Sequence, residues 1–318
     1  MRPKEWPSRF RAAGRKLHLV SLGCAKNQVD SEVMLGRLKQ AGWTITNDPE
    51  EAQAIVVNTC SFIQSAAEES IDTIVELAEL KKTGTCRRLV VTGCLPERYR
   101  EQIVQAIPEV DLFLGTGAFD QIVQAVGDDQ LARDAILPDP ELACLDQHSA
   151  SRVLTAPHMA YLKIAEGCSN RCSYFIIPKL RGRHESQPLE HVMAEAQELV
   201  SSGVKELVLV AQDTTAYGRD RGDGATLPRL LRALGRLGGR FWIRLLYGHP
   251  AAVTDELLEV MGTVPQVCRY LDLPIQHSHP ALLRAMQRAG SAAAVRRLPE
   301  RIRRALPGVT LRTTCLVG

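Results

Sequence analysis

Short apolar runs alternate along the chain with stretches of helical spacing. LHLVSL at 17–22 reads as a buried strand. Asp30 or Ser31 then caps a helix whose Val33, Met34, Leu38 and Ala41 share one face, and Gly42 ends it. AIVVN at 54–58 is a second strand, followed by a helix over 64–80. RLVVTG at 88–93, a helix over 97–107 and the strand-like DLFLG at 111–115 continue the series. Strands and helices that alternate with short connections predict a parallel α/β sheet.

Over 126–157 the texture changes to Asp, Pro, Gln and Ser with little period, and this stretch reads as an interdomain linker. A second alternating series starts near 160. Its expected strands are 160–166, 206–211, 241–246, 269–275 and 309–317, and its expected helices are 189–202, 227–237, 254–262, 280–289 and 294–305. Five strands predict a partial (β/α) barrel, because a full eight-stranded one does not fit the length. The expected layout is a basic tail at 1–15, an α/β domain at 16–125, the linker, and the partial barrel at 158–318.

Length and composition agree with this plan. At 318 residues the chain suits about two domains. With 45% hydrophobic and 24% charged residues it reads as a soluble globular protein. No run approaches the roughly 18–20 apolar residues that span a bilayer, so no membrane partner is expected. The N-terminus, MRPKEWPSRFRAAGRK, lacks the apolar core of a secretory signal and reads as a frayed basic tail. A net charge of +3 does not by itself point to nucleic acid. The arginines at 284, 288, 296, 297, 301, 303 and 304 read as the solvated face of one or two helices.

The cysteines change the picture most. There are nine, an odd number, in a chain without an export signal. That argues against a disulfide framework and for a reducing, cytoplasmic setting. Cys24, Cys60 and Cys94 each follow a predicted parallel strand, and the carboxyl ends of such strands share one edge. A single free cysteine is often a small core residue. Three at the same topological position predict a converging thiolate set, suited to zinc or to an iron–sulfur cluster with one metal position open. Cys168 and Cys172, in EGCSNRCSYF, follow the first strand of the second series and predict a second such site. The adjacent His277, Ser278 and His279 do not read as a metal site.

These motifs resemble those of the radical S-adenosylmethionine methylthiotransferase family. SLGCAKNQVDSE, the NTC at 58–60 and the TGC at 92–94 are similar to the three ligand motifs of its N-terminal domain. YLKIAEGCSNRC, IIPKLRGRHES, LVAQDTTAYG, WIRLLYGHP, YLDLPIQH and LRTTCLVG extend the match over nearly all of 17–318. The wording GCAKNQVDSE, WIRLLYGHP and AQDTTAYG is more similar to the branch that modifies a ribosomal-protein aspartate than to the branch acting on tRNA adenosine.

The resemblance implies two 4Fe-4S clusters and S-adenosylmethionine as cofactors. Cys24, Cys60 and Cys94 would hold the auxiliary cluster; Cys168 and Cys172 would hold the radical cluster. Gln212 and Asp213 end the second barrel strand, where this family meets the methionine part of the cofactor. Arg244 on the third strand is expected to pair with a carboxylate, and Gln276 follows the fourth strand. The implied activity is methylthio transfer to the β-carbon of an aspartate in the small-subunit ribosomal protein numbered twelve. The implied partners are that protein or the small subunit, and an electron donor such as flavodoxin or ferredoxin. Two alternatives stay open: tRNA adenosine as substrate, and a degenerate, non-catalytic iron–sulfur protein.

The chain departs from the family in three places. The third position of the CxxxCxxC signature is Phe175, which has no donor atom for iron. The sequence stops after LRTTCLVG, where the family continues with further barrel elements and a small C-terminal TRAM domain. Gln187 stands where arginine is usual.

Overall fold

A computed structural model describes residues 14–128, 134–142, 152–288 and 292–317. Nearly all of the expected basic tail, parts of the expected linker and Cys144 lie outside the described residues. The chain divides into two compact units. One is Met1–Thr155 with Lys179–Gly182, and the other is Ala156–Pro178 with Arg183–Gly318.

In the first unit the elements run β1 (Lys16–Ser21), α1 (Ala25–Gln40), β2 (Thr44–Ile45), β3 (Ala54–Thr59), α2 (Gln64–Ala78), α3 (Leu80–Thr83), β4 (Arg88–Gly93), α4 (Cys94–Tyr99), α5 (Glu101–Ala106), β5 (Leu112–Leu114), α6 (Ile122–Gly127) and β6 (Asp134–Ile136). The strands pair in parallel in the order β2-β1-β3-β4-β5-β6. Side chains alternate between two apolar layers, as the two-residue period of a strand requires. Ala54, Val56, Val90, Leu112 and Leu114 pack with α1 and α6. Ile55, Val57, Leu89, Val91 and Phe113 pack with α2 and α5. Helices α1 and α2 therefore leave β1 and β3 on opposite faces, which opens a crevice between the carboxyl ends of these two strands.

Three expectations change here. The first helix starts at Ala25, with Cys24 at its N-cap position, and not at Asp30 or Ser31. Those two polar side chains have buried partners inside the fold, so they no longer serve as caps: Asp30 pairs with Arg181, and Ser31 Oγ donates to Ser21 Oγ at 2.8 Å. The stretch read as a linker also holds β6, which completes the sheet beside β5. Three residues are too few to show a period. The helix expected at 97–107 is split at Arg100, whose φ of 43° breaks the helical path between α4 and α5.

The second unit contains β7 (Met159–Lys163), β8 (Ala165–Glu166), α7 (Ile177–Arg181), β9 (Glu185–Ser186), α8 (Leu189–Ser201), β10 (Glu206–Val210), α9 (Leu227–Leu234), β11 (Trp242–Leu245), α10 (Asp255–Thr263), β12 (Val267–Asp272), α11 (Pro280–Ala285), α12 (Ala292–Ala305) and β13 (Thr310–Arg312). The last residues of α7 count with the first unit. Five strands form a parallel sheet in the sequential order β7-β10-β11-β12-β13. β8 and β9 make a small antiparallel pair that the apolar pattern did not reveal.

One register row crosses the five-stranded sheet entirely in leucine: Leu162, Leu209, Leu245, Leu271 and Leu311. The first four are buried, which makes this the apolar face. The opposite face carries Tyr161, Lys163, Arg244, Tyr270, Asp272 and Arg312. Val208 and Val210 share that face and are buried.

Gly93 ends β4 in a conformation open only to glycine, with φ 95° and ψ −148°. A Cβ there would stand 2.4 Å from Asn58 Oδ1 and 2.6 Å from the Thr59 carbonyl oxygen. Gly93→Ala is expected to lower stability by about 2–5 kcal/mol, the sum of backbone strain and overpacking. Gly203 also has positive φ but nothing within 4 Å, so Gly203→Ala should cost only about 1–2 kcal/mol. Urea denaturation of the two variants beside the parent checks the difference.

Candidate metal centres

Cys24, Cys60 and Cys94 follow β1, β3 and β4, three neighbouring strands of the first sheet. The loops that carry them are tied together. Asn27 Nδ2 donates to the carbonyls of Leu22 at 3.0 Å and Thr59 at 2.8 Å, joining the ends of β1 and β3. Asn58 returns a bond to the Asn27 carbonyl at 2.9 Å. Ser61 Oγ donates to the Cys94 carbonyl at 2.9 Å, joining the β3 and β4 loops. Gly23 has φ 89°, and a Cβ on it would meet Cys60 Sγ at 2.9 Å. A glycine is therefore required for this close approach.

The three thiols are near enough to feel one another's charge. The cation they share is Arg181. Its guanidinium is almost fully buried. It donates from Nη1 to Asp30 Oδ2 at 3.0 Å and from Nη2 to Asn27 Oδ1. Burial raises the Cys24 thiol, but Lys26, Arg181 and the backbone N–H groups of Asn27 and Lys26 outweigh it and hold the thiol below its ordinary value. Burial pushes Cys60 up, and it pushes Cys94 up to about 11 against the pull of Arg181.

Among the described residues, no three of His, Cys, Asp and Glu are grouped closely enough to hold one metal ion. A four-iron cluster gives each thiolate its own iron, so it accepts ligands spaced more widely than a single ion does. Three converging soft donors, a shared cation and a glycine-permitted approach fit such a cluster.

The second pair, Cys168 and Cys172, is buried after β8. Its loop is fastened to the end of α11. Ser173 N donates to the Met286 carbonyl at 3.0 Å, and Ser173 Oγ to the Ala285 carbonyl at 2.9 Å. Arg288 Nη1 reaches Cys172 Sγ at 3.7 Å and Tyr174 Oη at 3.2 Å, while Nη2 donates to the Pro274 carbonyl. Burial, against the pull of Arg288, pushes the Tyr174 hydroxyl up to about 12. Phe175 lies edge-on to Tyr174, with ring centroids 6.2 Å apart.

The other candidates separate. Asp213 is buried and accepts from Asn170 of the cysteine loop at 2.9 Å, which places it beside that loop. Gln212 Nε2 donates to Glu166. Gln276 has φ 69° and exchanges backbone bonds with Thr314 and Leu316 at the same sheet edge. Arg244 points elsewhere: it pairs with Glu206 at the opposite end of β10 and stacks over Tyr270 at 4.9 Å. Gln187, in the place usual for arginine, is buried with its backbone oxygen accepting from Tyr217 Oη at 3.0 Å. His277 and His279 are bound to each other, His279 N donating to His277 Nδ1 at 2.8 Å.

Residues 16–115 match the family described as Uncharacterized protein family UPF0004, and residues 162–318 match the Radical SAM superfamily. Over 304 residues the chain is 48% identical to the ribosomal protein uS12 methylthiotransferase RimO of Desulfosudis oleivorans, covering 95% of this chain and 69% of that protein. It is 48% identical over 309 residues to the protein of the same name from Geobacter sulfurreducens, covering 96% and 69%. The chain belongs to the radical-SAM methylthiotransferase family. Among solved structures, the radical S-adenosylmethionine methyltransferase TsrM from Kitasatospora setae superposes with a TM-score of 0.68 at 15% identity, covering 96% of this chain and 68% of that one. The cobalamin-dependent S-adenosylmethionine radical enzyme OxsB gives 0.62 at 10% identity, covering 95% and 49%. At such identities these two show the fold.

Membership in the methylthiotransferase family brings 4Fe-4S clusters and S-adenosylmethionine as cofactors. The first site fits its cluster. The second does not fit a set of three thiolates, because Phe175 supplies no donor. Sequence reasoning did not single out Arg181 or Asn27, and it read Arg288 as part of a solvated helix face, whereas its guanidinium reaches Cys172, Tyr174 and the Pro274 carbonyl. Arg181 and Asn27 lie inside quoted motifs, IIPKLRGRHES and GCAKNQVDSE, yet only long-range folding shows what they touch.

The thiol shifts set an order of reactivity. In the reduced, metal-free chain at neutral pH, Cys24 should be alkylated by iodoacetamide roughly tenfold or more faster than Cys60 or Cys94, because the thiolate is the nucleophile. Arg181→Met should narrow that lead. Timed alkylation with peptide mass mapping measures both.

Proposed function

We propose that the chain adds a methylthio group to the β-carbon of an aspartate in ribosomal protein uS12. The observation that carries this reading is the 48% identity over 95% of the chain to a protein named for that activity, together with the three thiols gathered at the first sheet edge. In this reading Cys24, Cys60 and Cys94 hold the auxiliary cluster, and Cys168 and Cys172 belong to the radical cluster. When bound, the auxiliary cluster supplies the sulfur. Arg181 offsets the negative charge that three thiolates bring into a buried edge, and Asp30 holds that guanidinium in place. Asn27 and Ser61 keep the three loops in register. Asp213, positioned by Asn170 and Thr215, stands ready for a cationic or hydrogen-donating group of the cofactor. The domains at 16–125 and 158–318 would divide the work between auxiliary cluster and radical chemistry, in the cytoplasm, with a small electron-transfer protein as donor.

Phe175 favours a second reading, in which this chain keeps the first cluster but does not turn over. Anaerobic reconstitution with iron and sulfide separates the two. On the second reading the chain with Phe175 holds about four irons and Phe175→Cys about eight, one four-iron cluster against two, and only the variant gives a reduced EPR signal that S-adenosylmethionine perturbs and methylthiolates uS12 by mass spectrometry. On the first reading the chain with Phe175 already does both. Two clusters and uS12 modification by the chain with Phe175 would defeat the second reading. Modification of tRNA in place of uS12 by the variant would defeat the first.

A further inference from the structure

The polar face of the second sheet holds two arginines, and they are placed differently. Arg244 is engaged by Glu206 and lies over Tyr270, toward the amino-terminal end of β10. Arg312 ends β13 at the carboxyl-terminal edge, directly across the register from Asp272. Its side chain is 57% exposed, whereas that of Asp272 is 2% exposed. The two meet at 3.6 Å, Arg312 Nη1 to Asp272 Oδ2. The same Oδ2 accepts the backbone N–H of Tyr247 at 3.1 Å, and the buried Oδ1 of Asp272 has no hydrogen-bond partner. Tyr247 and Gln276 both hold positive φ, 59° and 69°, in the loops at this edge. Strain of that kind gathers at ligand sites.

A guanidinium carries five donors in a planar fork matched to a carboxylate. Asp272 braces one side of the Arg312 fork and is itself fixed by backbone. The Tyr270 hydroxyl also reaches the guanidinium, and the rest of the side chain is exposed at the edge where a parallel sheet presents ligands.

We propose that Arg312, braced by Asp272, receives the side-chain carboxylate of the substrate aspartate and so selects aspartate over asparagine. This rests on uS12 as the substrate. Methylthio transfer there modifies the carbon next to that carboxylate, so gripping it would fix the position of the reacting carbon. Asparagine would meet the same fork without charge and with an N–H₂ group opposed to an N–H donor.

The test is equilibrium binding of purified uS12 to the full chain by fluorescence anisotropy, without S-adenosylmethionine. The two ligands are uS12 with its target aspartate and uS12 with asparagine there. The parent chain should prefer the aspartate form by roughly 10–100-fold, as expected for hydrogen bonds between charged groups. Arg312→Gln should bind both forms alike, at the weaker level. Arg312→Lys, which keeps the charge and loses the fork, should retain only part of the preference. Far-UV circular dichroism and a thermal melt confirm that each variant is folded. An Arg312→Gln chain that still prefers aspartate overturns the proposal. So does abolition of the parent's preference by added S-adenosylmethionine, which would assign the arginine to that cofactor's own carboxylate. If the parent binds neither form of uS12 but binds tRNA, the uS12 reading fails and the proposal falls with it.

Discussion

Parallel strand pairing is the constraint on which both units depend. Strands that run the same way put all their carboxyl ends on one edge, and the return path of the chain has to cover the faces. In the first unit the faces are sealed by helices packed on alternate side chains, Val56 and Val90 to one side, Val57 and Val91 to the other. Chemistry is thereby confined to the edge. Three thiols at positions far apart in sequence meet because β1, β3 and β4 are neighbours there.

Such an edge has to tolerate charge away from water. A thiolate in a buried loop is disfavoured unless a cation or N–H donors face it, and the three cysteines divide on this point: Cys24 is held down and Cys94 is pushed up to about 11. Arg181 supplies the field. A lone buried guanidinium would be costly itself, so its pairing with Asp30 and Asn27 is what lets it stand among apolar neighbours. In the polar run after Cys24, Asn27 and Asp30 are buried in this network.

The strands and the order of helices could be read from apolar runs because each run is as long as the layer it crosses. The leucine row of the second sheet is such a case: five runs expected to be strands place leucine at the same register position. The start of α1 could not be read, because Asp30 and Ser31 have the residue types of a cap and only their distant partners, Arg181 and Ser21, show otherwise. The three residues of β6 are too few to display a period. At the sites, cysteine positions were legible from their place after strands. Side-chain direction was not: Arg244 was put forward for a carboxylate and Arg312 was not, although register and exposure distinguish them. Phe175 was legible as a departure, and the structure adds Arg288, which reaches both Cys172 and Tyr174.

The assignment of Lys179–Gly182 to the first unit, while the residues on either side of it belong to the second, bears on how the chain can be divided. The polypeptide passes into the second compact unit, returns for one short visit that delivers Arg181, and leaves again. No single cut yields both halves intact. A fragment ending before the second sheet would keep all three cysteines of the first edge and lose the cation that faces them, leaving Asp30 buried without its counter-charge. A four-residue segment of the later sequence finishes the earlier fold.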